Sequence, residues 1–272
     1  MSLSPRWIYR VLILLAGLAA GTTALATGRP PLLAAAFQAF LDGQQRWAYE
    51  ETVSSFKADG SLTEEAVIRV DPSQPYAKQR VPVKIRGTSP TEQQLHDWAK
   101  ASEAIAQRRL KLRETQAATG SDRDFRLQLI NREVSPLLDE AILVAEDTRT
   151  VTYEIPLREL GGPTAALVDD HQLIVQVNRE RRMFEHATIR QTKMVRVGAG
   201  KYSDGIVEVE FVKADAPYPT VPVRLTRTKT NKPLFGPKRT GRDQIDRRDF
   251  KHVTPYEERL KVKLGPLQLL DF

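Results

Sequence analysis

The chain has 272 residues, with 41 Lys and Arg against 34 Asp and Glu, and no cysteine. Without cysteine there is no disulfide, no thiol chemistry and no lipidated N-terminal Cys, so the fold must rest on an apolar core and the protein is not a lipoprotein. The basic excess is too mild to point to a nucleic-acid binder.

The first residues carry Arg6 and Arg10, an apolar run from Val11 to Ala20, and Ala24-Leu25-Ala26. That is a charged region, a hydrophobic region and a small-residue cleavage site, so residues 1–26 read as a cleaved signal peptide. The apolar stretch is short for a membrane span, which needs about 20 residues. Residues 27–272 then form a single secreted domain. Loss of Arg6 and Arg10 lowers the net charge from +7 to +5. A secreted chain of this length without cysteine suits a bacterial periplasm.

Pro30-Pro31 leads into a short helix, Leu32 to Leu41, with apolar residues all round it. The first strand spans Arg46 to Phe56, with Trp47, Tyr49 and Val53 on one side and Glu50, Thr52 and Ser54 on the other. Ala58-Asp59-Gly60-Ser61 is a hairpin turn. The second strand spans Thr63 to Val70. The third, Gln79 to Arg86, is expected to carry Val81, Val83 and Ile85 on one face, with Pro82 favouring an edge or a bulge. Ser89-Pro90-Thr91-Glu92 reads as a capping box, and the helix that follows runs to about Arg113 with Leu95, Trp98 and Ile105 in one stripe. Glu114 to Asp124 reads as a surface loop.

From Ser135 the apolar period is mostly two. Strands are expected at Ala141–Ala145, Val151–Leu157 (with Val151, Tyr153 and Ile155 on one face), Gln172–Asn178, Met183–Gln191, Met194–Val197, Gly205–Lys213, Val221–Thr228 and Arg247–Val253. Gly161-Gly162-Pro163 opens a short helix through Val168. The strand GIVEVEFVK alternates apolar and acidic residues, the mark of a sheet with one wet face. Hairpin-linked strands at this spacing predict a mainly β (α+β) fold. The expected architecture is a strongly curved antiparallel sheet, an open half-barrel with helices over its concave face.

No G-x-S-x-G, P-loop, G-x-G-x-x-G or H-E-x-x-H occurs, so the protein is not expected to be an enzyme and no cofactor is expected. Asp169-Asp170-His171 is the one dense acid–histidine cluster and reads as a solvated turn. A buried carboxylate beside His171 would point to catalysis instead. Glu50-Glu51 and Glu64-Glu65 cannot act as carboxylate dyads, because neighbours along a strand point to opposite faces. Residues 224–263 hold 13 Lys or Arg against 5 acids. Between their strands, Lys229 to Asp243 reads as an exposed loop. Lys238, Arg239 and Arg242 there are candidates for contact with an anionic membrane surface or an envelope protein.

The order of elements resembles a known layout. The W-x-Y-x-x-T of Trp47 to Thr52, the V-x-R-x-D-P-S-x-P of Val67 to Pro75 and the G-x-x-P-T segment of Gly87 to Trp98 follow one another as in the periplasmic lipoprotein-carrier superfamily of LolA, LolB and the RseB N-terminal domain. The resemblance implies a half-barrel with an apolar cavity for an acyl or peptide ligand. It carries no functional residue over to this sequence. The cavity candidates are then Trp47, Tyr49, Val53, Val81, Val83, Ile85, Leu95, Trp98, Ile105 and Tyr153, with the long helix covering the strands. The alternative is an envelope interaction or sensor module that works through the basic C-terminal half.

Overall fold

The computed structural model describes residues 29–43, 46–119, 127–128, 133–159, 168–197, 200–203, 205–211, 221–234, 236–256 and 258–259. The signal-peptide region and most of the short helix expected at 161–168 lie outside these residues.

Helix α1 spans Pro31–Gly43. Strand β1 covers Trp47–Lys57, β2 Leu62–Val70 and β3 Arg80–Ile85, followed by helix α2 at Glu92–Thr119. Next come β4 (Leu127–Gln128), β5 (Glu133–Pro136), β6 (Ile142–Glu146), β7 (Thr150–Ile155), β8 (Leu157–Glu159), β9 (His171–Asn178) and β10 (Met183–Gln191). The chain continues through β11 (Val195–Val197), β12 (Gly200–Ser203), β13 (Ile206–Phe211), β14 (Pro222–Lys232) and β15 (Arg239–His252). One 12-stranded sheet runs β3-β2-β1-β15-β14-β13-β10-β9-β7-β6, with the β11–β12 hairpin attached to β14. β4, β5 and β8 form a small second sheet. All named pairings in both sheets are antiparallel.

The large sheet is open, with β3 and β6 as its edges. Its inner face is defined by one continuous row of paired residues. Ala66, Val53, Ile245, Leu225, Val209, Ala187, Val175 and Tyr153 follow one another across eight strands. All are buried except Ala187, which packs against the core partly buried. At about 4.8 Å per strand the row is about 34 Å long. A single helix is about 10–12 Å wide, so the sheet buries this row by curling.

Helix α1 fills part of the inner side. Pro31 stands in its first turn, where its missing N–H costs nothing. Leu33, Ala36, Phe37 and Phe40 follow at helical spacing and are all buried. The Phe37 ring meets Phe184 of β10 edge-on at 5.0 Å, and Phe40 meets Phe184 at 5.9 Å and Phe211 of β13 at 5.8 Å. Such edge-to-face pairs add about 0.5–1.5 kcal/mol beyond area burial.

Several expectations are corrected. The capping box of α2 is Thr91 with Gln94, two residues later than expected. Thr91 Oγ1 accepts from Gln94 N at 3.3 Å, and Thr91 N donates to Gln94 Oε1 at 2.8 Å. The helix continues to Thr119, because Glu114-Thr-Gln-Ala-Ala contains no breaker and good helix formers. Lys229 to Asp243 is mostly ladder rather than loop. Thr230 pairs with Thr240 and Asn231 with Arg239, leaving 233–238 as the turn. Its β-branched threonines favour strand, but both faces are wet, so no apolar period marks it.

Candidate functional site

The site lies where β3, β2, β1 and β15 present their inner faces. Parity along β1 places Trp47, Tyr49, Glu51, Val53 and Ser55 on that side. Val53 is part of the buried row, as is Tyr153 six strands away. Ile85 is also buried.

Val81 and Val83 do not share the face of Ile85. The β2–β3 register shifts between Val67↔Lys84 and Ile68↔Pro82, so Val83 is the extra residue of a bulge. Pro82, which lacks a ladder donor, turns inward and is buried. Val81 pairs with the exposed Arg69 on the outer side, and Val83 is 37% exposed. Helix α2 packs on β3 and on the 3-10 turn at Tyr76–Lys78, at the sheet edge. Its Trp98 is buried, and Nε1 donates to the carbonyl of Arg80 at 2.9 Å. Leu95 is exposed. The helix meets the sheet at its edge through Trp98 instead of covering β1 with a stripe. Ile105 lies on α2, with its side chain outside the described residues.

Glu51, not among the sequence candidates, is the centre of this region. It is fully buried and held between two arginines. Arg247 Nε of β15 donates to Glu51 Oε2 at 2.9 Å, and Arg80 Nη2 of β3 donates to Oε1. Burial pushes the Glu51 carboxyl up, but the two guanidiniums outweigh it and hold it below its ordinary value. Burial likewise works against the Arg247 charge, and the neighbouring Tyr49 and Glu51 more than restore it. The triad carries a net charge of one positive. Arg247 also donates to the Pro222 carbonyl at 3.3 Å and lies 5.0 Å from the centre of the Tyr49 ring.

Near this triad stands a group of rings, half-buried except for the exposed His252. Tyr49 lies 5.6 Å from Phe250, Trp47 is edge-on to His252 at 5.3 Å, and Tyr76 meets Tyr256 at 6.1 Å. A bulge at Asp249, which adopts φ 57°, lets Phe250 reach Tyr49. The segment after β15 is tied down by Tyr256 N to Pro72 O at 3.0 Å and by Arg46–Glu258 at 2.7 Å. A second polar cluster lies two inward rows along, beyond Val53 and Ile245, where the buried Asp243 accepts from Ser55 Oγ and from Lys229 Nζ at 2.6 Å.

The Asp169-Asp170-His171 cluster is not a solvated turn as a whole. Asp169 pairs outward with Lys193 at 2.7 Å, but Asp170 is buried and its carboxylate lies 2.8 Å from His171 Nδ1. The imidazole is only 3% exposed at the start of β9, so the buried carboxylate that would point to catalysis does stand beside His171, in a pair largely closed to solvent. Among the described residues no three His, Asp or Glu side chains gather as a metal site, and no helix is long and apolar enough to cross a membrane.

The basic stretch divides into paired and unpaired cations. Arg224 pairs with Asp246 at 2.6 Å, Arg248 with Glu50, Lys229 with Asp243 and Arg247 with Glu51. Arg242 lies over the Phe56 ring at 4.8 Å. Lys238 and Arg239 stand exposed at the turn of the β14–β15 hairpin.

These features define an α+β protein built on one open, curled antiparallel sheet with a helix seated on its inner face. The fold is similar to that of a LolA superfamily protein from Nitrosomonas europaea, at a TM-score of 0.36 and 7% identity over 86% of this chain and 97% of that one. No family model and no curated protein matches the chain.

Proposed function

We propose that this is a non-enzymatic binding protein that holds an apolar group, a lipid or acyl chain, against the inner face of its sheet. It would act in the periplasm after export through its N-terminal leader. One observation carries the proposal, the unequal cover of the inner face. On β9, β10 and β13 the aromatic side chains of α1 complete the packing. On β1 and β15 the inner face instead ends in the half-buried rings of Trp47, Tyr49 and Phe250. On β1 the charged Glu51 separates this surface from the buried row that contains Val53, and the apolar connection runs alongside it through Val70, Ile68 and Ala66 of β2. Sites for apolar ligands are concave, mostly apolar, and carry a few fixed polar groups that orient the ligand. Arg80 and Arg247 are such groups here, fixed by Glu51.

The test is native mass spectrometry of the protein isolated from its own envelope without detergent. About one bound lipid per chain is expected, and Trp47→Ala is expected to lower that occupancy without lowering the melting temperature. A clean apo mass, with no uptake of added phospholipid or fatty acid, would overturn the proposal.

A further inference from the structure

We infer that the hairpin end of the large sheet docks on an anionic lipid bilayer, with the tip of the β14–β15 hairpin entering the headgroup layer. This surface is separate from the inner face proposed to hold ligand.

Register places three turns together. Lys57 at the end of β1 lies opposite Gly241 of β15, and Lys201 of β12 lies opposite Lys232 of β14. The β1–β2 turn, the β14–β15 turn and the start of β12 therefore share one end of the sheet. Lys57, Lys201, Lys232, Lys238 and Arg239 are all exposed there. None makes an ion pair with a described residue. Farther along the same two strands the cations are matched strand by strand, as in Arg224–Asp246 and Lys229–Asp243. Lys201 directly opposite Lys232 is an unfavourable like-charge pair, and an external anion would relieve it. Asp59, held anionic by the backbone N–H of Ser61 at 2.9 Å and its hydroxyl at 2.6 Å, offsets part of the Lys57 charge but stands on the β1–β2 turn, away from the Lys201–Lys232 pair.

Apolar side chains project from the same end. Leu234 is 64% exposed at the apex of the β14–β15 turn, and Leu62 is 53% exposed beside the β1–β2 turn. Lys232 and Lys238 flank Leu234 within a few residues. An apolar tip backed by cations matches the layering of a bilayer surface, where acyl chains lie beneath anionic phosphates. An acidic protein would satisfy the cations and leave Leu234 without a role.

The experiment is sedimentation of the full chain with vesicles at about 0.1 M salt, where the Debye length is about 10 Å. Binding is expected to vesicles of phosphatidylglycerol and phosphatidylcholine in equal parts, and not to phosphatidylcholine alone. The triple variant Lys232→Ser, Lys238→Ser, Arg239→Ser is expected to bind roughly a hundredfold more weakly, from about 1 kcal/mol per cation near the surface. Leu234→Ser is expected to bind several-fold more weakly. Both variants should melt as the parent does and retain any ligand seen by native mass spectrometry, so failure here is distinct from failure of the ligand-binding proposal. Equal binding to neutral vesicles, or no effect of the triple variant, would overturn the inference. So would an unaffected Leu234→Ser variant together with tight binding to polyglutamate, which would make an acidic polypeptide the partner.

Discussion

Glu51 and Arg247 face each other as paired residues of β1 and β15, 2.9 Å apart and both withdrawn from solvent. With Arg80 on the other side, the carboxylate ties the edge strand β3 to the centre of the sheet. The desolvation cost of such a cluster is offset only while every charge keeps its partner. Glu51→Gln leaves two inward guanidiniums without a countercharge. The expected loss is about 3–5 kcal/mol in urea unfolding. Because Arg247 is shared with the Tyr49 ring, the double variant Glu51→Leu, Arg247→Met should recover part of that loss. A double variant that loses the sum of the two single losses would show that the pair is not coupled.

The pH dependence follows from the same carboxylate. Its folded value lies below the ordinary 4.5, so the unfolded chain takes up a proton first as pH falls. The stabilisation is complete above about 4.5 and is lost as pH drops through the lower folded value. Urea midpoints should fall more steeply in the parent than in Glu51→Gln as pH drops below about 4.5. Parallel curves would mean that other carboxylates govern acid unfolding.

Phe184 touches Phe37, Phe40 and Phe211 and so joins α1 to two strands. Phe184→Ala is expected to cost about 3–5 kcal/mol. A cycle with Phe40→Ala should show coupling of about 0.5–1.5 kcal/mol, measured by thermal and urea unfolding. Additive losses would mean that the two rings are packed independently.

Much of this architecture was legible from periodicity. GIVEVEFVK gives β13 its inner Val207, Val209 and Phe211 directly, because alternation of apolar and acidic residues leaves one register. The β1–β2 turn was legible because Asp59-Gly60 fits one turn chemistry, and Gly60 adopts φ 82°. The inner polar clusters were not. Glu51 alternates with Tyr49 and Val53 and so had to point inward, yet its partners Arg80 and Arg247 lie 29 and 196 residues away. Only strand order brings them together. Val83 was misplaced because a bulge reverses parity partway along a strand, and Pro82 marks that a break occurs without fixing where the extra residue sits.

Trp98 is the contact that holds α2 to the sheet edge, through ring burial and the 2.9 Å hydrogen bond to the Arg80 carbonyl. Trp98→Phe keeps most of the ring and removes the donor, so it should cost about 0.5–1.5 kcal/mol. Trp98→Ala should cost about 3–5 kcal/mol. Hydrogen exchange should speed up in β3 for both variants. Unchanged protection there would mean that the helix does not stabilise the edge.

The bulge in β3 gives two neighbouring valine and isoleucine positions opposite fates. Val83 is the unpaired extra residue and is exposed, so Val83→Glu should change unfolding free energy by no more than about 0.5 kcal/mol. Ile85, two residues on, pairs with Ala66 on the inner face and is buried. Ile85→Glu would place an uncompensated carboxylate against apolar neighbours and should cost several-fold more than Val83→Glu. A regular strand without the bulge would put both residues on one face and make both substitutions costly. The difference between the two variants, read from urea midpoints, therefore reports on the register itself. Equal and large losses would place Val83 inside and return it to the apolar face that the sequence alone suggested.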